Sequence, residues 1–143
     1  MNDDAEFHFV DTNVFVYAYD QSAGIKQEKA GALLQRLWRS GKGCLSLQVL
    51  QEFYVIVTRK IQSPLPVNEA TQIIKDLRGW QIHRPTVEDV LGAITIQTRF
   101  GISFWDALIL RSASQLECAT IWSEDLNPGQ VYESVQVRNP FAS

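Results

Sequence analysis

The spacing of apolar residues changes along this chain, and each change marks an element. Phe7 to Val10 is a short run rich in aromatic and β-branched residues that stops at Asp11-Thr12-Asn13, after which Val14 to Tyr19 is apolar again. This reads as strand, turn and helix. From Ile25 to Trp38 the apolar positions Ala30, Leu33, Leu34, Leu37 and Trp38 recur at intervals of three and four, with Lys26, Lys29, Gln35, Arg36 and Arg39 between them. An amphipathic helix ending near Gly41 follows. Cys44 to Leu47 predicts a second strand, and Gln48 to Ile61 a helix with its main stripe at Leu50, Phe53, Tyr54, Val57 and Ile61, before Ser63-Pro64-Leu65-Pro66 breaks the chain. The remaining pattern predicts a helix over Val67–Leu77, a strand over Trp80–His83, and a helix over Val87–Phe100 introduced by Thr86, with Glu88 and Asp89 in its first turn. A further helix is expected over Ser103–Leu116, a strand over Ala119–Trp122, and a last strand at Val135-Gln136-Val137.

Short apolar strands alternating with longer amphipathic helices define an α/β domain around a mainly parallel sheet. At 143 residues, with 45% hydrophobic and 20% charged residues, the chain has the size and apolar content of one compact domain spanning 1–143. The formal charge of -3 argues against a broad basic surface for nucleic acid, so any such contact should be local. It is compatible with a local phosphate contact in which bound cations supply the positive charge. Cys44 and Cys118 adjoin apolar runs and are expected to be buried reduced thiols; no CxxC or Cys/His spacing points to zinc. The start of the chain is acidic and lacks a signal-peptide layout, and no apolar run approaches membrane-spanning length, so a cytoplasmic protein without membrane contact is expected.

In parallel sheets ligands gather beyond the carboxyl ends of the strands, which directs attention to the acids placed there. Asp11 follows the first strand directly; it serves equally well as a helix N-cap or as a site residue, with Thr12 and Asn13 beside it. Asp106 heads the apolar stripe Ile109, Leu110, Ala113, where capping by Ser103 explains the position but a partly buried carboxylate still needs a counter-charge. Asp125 sits in the turn-rich Ser123-Glu124-Asp125-Leu126-Asn127-Pro128-Gly129 after a late strand, in parallel with Asp11, and Glu124 competes with it for the same role. Glu52 lies roughly opposite the main stripe of its helix, so solvent exposure is expected of it unless Val49, Val55 and Ile56 turn a second face inward. His8 and His83 fall in strands and are expected to be structural. Arg59, Lys60 and Arg111 are expected to be solvated surface charges. No GxGxxG or Walker sequence indicates a nucleotide cofactor.

If the four acids converge, electrostatics calls for a cation: two carboxylates about 4 Å apart repel by roughly 4 kcal/mol at an effective dielectric near 20. Oxygen ligands without His or Cys favour magnesium or manganese over zinc. Either one or two ions would activate water and stabilise charge on a phosphoryl group.

The chain resembles PIN-domain nucleases, and within them the VapC-like toxins of toxin-antitoxin pairs. The matching pieces are Phe9-Val10-Asp11-Thr12-Asn13-Val14, Gln51-Glu52-Phe53, Ser103-Phe104-Trp105-Asp106-Ala107 and Ser123-Glu124-Asp125-Leu126, which run in the family's order. The resemblance implies a three-layer α/β/α fold. It also implies Asp11, Glu52, Asp106 and Asp125 as metal-coordinating acids, with Asn13 and Ser123 as polar supports. As activity it implies a magnesium- or manganese-dependent endoribonuclease, frequently homodimeric and inhibited by a cognate antitoxin; a PIN-domain nuclease of RNA processing is the alternative. An acidic phosphoacceptor module would need an Asp after the middle strand, where Ser46-Leu47-Gln48 stands. A haloacid-dehalogenase-like phosphatase would need an Asp at the position of Asn13.

Overall fold

The computed structural model describes residues 3–142. Strand β1 (His8–Val10) passes directly into helix α1 (Thr12–Ala18) through Asp11, whose carboxylate accepts the Thr12 N–H. The anticipated Asp11-Thr12-Asn13 turn is therefore one capping residue. A short 3-10 turn over Gln21–Ala23 precedes α2 (Ile25–Ser40), which ends where Gly41 takes a left-handed conformation at φ 71°. β2 (Gly43–Ser46) then leads into α3 (Leu47–Arg59), with the Ser46 hydroxyl capping the Val49 N–H. α4 (Val67–Leu77), β3 (Gln81–His83), α5 (Val87–Phe100) and α6 (Phe104–Gln115) follow. The chain continues through β4 (Thr120–Trp122), β5 (Val131–Tyr132) and β6 (Val135–Arg138).

The six strands form one sheet in the order β3-β2-β1-β4-β6-β5, parallel except for the β5–β6 pair. The chain runs outward from β1 through β2 to β3, then returns across β1 to build β4 and β6 on the other side. Right-handed crossovers in these two directions place α1–α4 on one face and α5–α6 on the other, the three-layer α/β/α arrangement. Accordingly α2 and α3 pack against β2, while α6 touches β2, β3, β4 and β6 and carries α5. Phe9, Val10, Leu45 and Ile121 are fully buried, as strands covered on both faces must be.

Two parts of the pattern read differently in three dimensions. β5 is not foreshadowed, and two members of the helical stripes, Trp38 and Tyr54, remain substantially exposed. Trp38 lies against the edge of Trp80 instead of in the core. Cys44 and Cys118 are buried free thiols. Among the described residues no helix is long and apolar enough to cross a membrane.

Candidate functional site

The strand order reverses between β1 and β4, and at this point neighbouring carboxyl ends leave a crevice. Val10 pairs with Trp122, so the residues after them, Asp11 and Ser123, emerge side by side. The Asp11 N–H donates to the Trp122 carbonyl at 3.0 Å. A cleft of about 220 Å³ opens here, and Asp11, Glu52, Asp106 and Asp125 all line it, together with Thr12, Asn13 and Gln48; Ile56, Trp105 and Ile109 form its apolar wall. Clefts of about 420 Å³ exist elsewhere, one beside Cys118 and one between α3 and α4, but neither gathers four acids.

Each acid reaches the cleft for a local reason. Asp11 is the N-cap of α1: one carboxylate oxygen accepts from the Thr12 N–H at 2.7 Å and the other from the Ser123 hydroxyl at 2.8 Å. The cap reading holds, and the same carboxylate lines the cleft. Asp106 sits in the first turn of α6 because Ser103 caps its N–H at 3.1 Å, turning the carboxylate toward the cleft end of the helix. Asp125 is held by the Asn13 amide at 3.0 Å, and its N–H donates to the Ser123 hydroxyl at 3.1 Å. Ser123 and Asn13 thereby clip the turn after β4 onto the start of α1.

Glu52 does not face bulk solvent as its position opposite the main stripe suggested. It accepts from the Thr12 hydroxyl at 2.7 Å and from the Gln48 amide at 3.3 Å, and it is half-buried. The second face of α3 is responsible: Gln48, Glu52 and Ile56, four residues apart, turn together toward α1. Gln48 is the residue that sequence reasoning missed, although its i, i+4 spacing to Glu52 was the available signal.

Other candidates fall outside the cleft. Glu124 bonds the Tyr17 hydroxyl at 2.8 Å and pairs with Lys26, which leaves Asp125 as the cleft acid of that turn. Arg111 is not a solvated charge: its guanidinium pairs at 2.9 Å with buried Asp89, which also approaches His83 at 3.3 Å. Arg59 and Lys60 are exposed. His8 spends both ring nitrogens on structure, at the Asp3 carbonyl (2.8 Å) and the Trp122 indole N–H (2.9 Å).

Several acids elsewhere in the chain are neutralised by a basic partner. Asp3 pairs with Arg36 and Arg138, Asp89 with Arg111, Glu124 with Lys26, and Glu133 with Arg99. Among the described residues, Asp11, Glu52, Asp106 and Asp125 have no Lys, Arg or His partner and are held by neutral hydroxyl, amide and backbone donors. Burial pushes Asp11 up to about 6, with the charges of Asp106 and Asp125 adding to it and the Ser123 and Thr12 bonds opposing. Asp106 is also raised, by burial first and then by Asp125 and Glu52, against the Ser103 cap. The cleft thus concentrates negative charge with no internal compensation.

Whether these residues suit a divalent ion is a question of donor chemistry. Their donors are oxygens alone, which matches hard cations. Among the described residues no three Asp, Glu, His or Cys groups stand close enough together to hold a metal ion between them. Magnesium needs no such cage, since it keeps several waters and takes one or two carboxylates directly. The open, uncompensated cleft fits it.

Residues 8–133 match the PIN domain, and the chain belongs to that family. No curated protein sequence matches it significantly. Its fold is similar to a toxin-antitoxin complex from Klebsiella pneumoniae, with a TM-score of 0.70 at 14% identity over 94% of this chain and 98% of that one. It is also similar to VapBC2 from Rickettsia felis bound to a promoter DNA fragment, at 0.65 and 16% over 93% and 98%. A third similar structure is VapC20 of Mycobacterium tuberculosis, described as a Sarcin-Ricin loop cleaving toxin, at 0.60 and 18% over 80% and 86%.

Proposed function

We propose that this protein is a metal-dependent endoribonuclease that hydrolyses RNA phosphodiester bonds, acting as the toxin of a toxin-antitoxin pair. The observation that carries the reading is the set of four acids around one cleft with no basic partner among them. Such a charge needs a cation, and a phosphodiester brings a reaction that one can assist. Asp11, Glu52, Asp106 and Asp125 would hold magnesium or manganese, as one ion or two. The bound ion supplies an activated water and charge neutralisation at the phosphoryl oxygens. Thr12 and Gln48 orient Glu52, Ser123 orients Asp11, and Asn13 orients Asp125, so three of the four acids are held by side-chain bonds before substrate arrives.

The RNA substrate is supported by the likeness to a toxin described as cleaving the Sarcin-Ricin loop. An antitoxin partner is supported by the likeness to two toxin-antitoxin assemblies. Homodimerisation belongs to the same reading. Uncovered apolar side chains on α3 (Leu47, Tyr54, Val55) and on α5 (Val87, Leu91, Ile94) offer surface for such partners.

The test is cleavage of RNA with magnesium or manganese by Asp11→Asn and Asp106→Asn. Each should lose more than the roughly 100-fold typical of removing a residue that only orients a ligand. A folded Asp11→Asn protein cleaving at the original rate would overturn the assignment. Growth arrest on expression separates a toxin from a nuclease of RNA processing.

A further inference from the structure

Gln48 lies in the first turn of α3, 9% exposed, and its side-chain amide reaches two different walls of the cleft. Nε2 donates to Glu52 Oε2 at 3.3 Å, on its own helix, and to the Trp105 carbonyl at 3.4 Å, at the start of α6. The residue after Trp105 is Asp106. One NH₂ group therefore ties together the two elements that present Glu52 and Asp106. Both are carboxylates lining one cleft, so like charge pushes them apart.

The orientation of the amide is not arbitrary. Turned over, it would set Oε1 against a carboxylate oxygen and a carbonyl oxygen, two acceptors with nothing to donate. In the orientation that pairs, Oε1 is buried with no partner. A buried unpaired acceptor destabilises a fold, and a leucine would fill similar volume without it. The amide is thus a local liability whose N–H groups serve the cleft.

We propose that Gln48 is a positioning residue: by bridging Glu52 to the start of α6 it sets the spacing of Glu52 and Asp106 and keeps Glu52 directed at the cation. This rests on the metal-dependent reading above and adds to it a residue outside the four acids. Gln48 acts through Glu52, so its contribution should vanish when Glu52 can no longer ligate.

The experiment is a mutant cycle read by manganese binding, with free Mn²⁺ followed by electron paramagnetic resonance in the absence of RNA. Gln48→Leu should bind manganese roughly 10- to 100-fold more weakly, while its thermal midpoint stays the same or rises. In a Glu52→Gln background the same change should alter binding by no more than about twofold, the limit of additivity for uncoupled sites. Gln48→Met, of similar length, replaces Gln48→Leu in the cycle if the latter does not fold. Unchanged affinity in Gln48→Leu, or an equal loss in both backgrounds, overturns the positioning role. Asp11→Asn is the control: if it binds manganese as tightly as the unaltered protein, the metal reading itself fails, and the inference with it.

Discussion

Asp11 does two things with one carboxylate, closing the first turn of α1 and facing the cleft, and its titration records the conflict. Its raised pKa means that the folded chain holds a proton up to about pH 6, whereas the unfolded chain releases it near 3.8. Stability from this group is fully present below pH 3.8 and declines as pH rises to about 6, by on the order of 3 kcal/mol in metal-free protein. Urea midpoints measured in chelating buffer from pH 4 to 7 should show this fall in the original protein relative to Asp11→Asn, which lacks the titrating group. A parallel pair of curves would refute it. At this scale sequence reading reached Asp11, Asp106 and Asp125 from their places beside strands and caps. Glu52 was harder, because nothing local tells that α1 will cover the second face of α3 and offer the Thr12 hydroxyl at 2.7 Å. Arg111 was misread for a related reason, since its partner Asp89 is twenty-two residues away on another helix.

Among the elements, the helices are legible because their starts and stops are chemical. Ser46, Thr86 and Ser103 cap three of them, and Gly41 and Gly101 close two in the left-handed conformation. The capping box of α5 is complete, with Thr86 and Asp89 each bonding the other's backbone N–H. Thr86→Ala should therefore lower stability by about 1 kcal/mol, measured by chemical denaturation, with RNA cleavage unchanged because α5 does not line the cleft. β5 was illegible for the converse reason. It has two residues, and its turn into β6 places Glu133 and Ser134 at positive φ (47° and 71°), where an Asn-Gly pair would have announced a hairpin. Tyr54 has the right spacing for the core, yet α4 covers only part of that face, so periodicity alone overstated its burial.

For the molecule as a whole, the core shares only apolar side chains such as Ile109 with the cleft and none of its four acids, so removal of metal should silence cleavage without unfolding the chain. Circular dichroism in chelator should retain its helical signal. Restoring magnesium at a hundredfold excess over its Kd should add about 2.7 kcal/mol, read as a rise in Tm that Asp11→Asn does not show. Loss of the helical signal in chelator would mean that the ion is structural instead. The reversal of strand order between β1 and β4 has one more outcome. It draws two acids from the first half of the polypeptide and two from the second, and the last of them stands beyond β4. A polypeptide whose synthesis has not reached residue 123 has neither Asp125 nor the Ser123 hydroxyl that braces Asp11. On the proposed reading, copies that end before residue 125 lack one wall of the cleft, and any cleavage would begin only after translation has passed that residue.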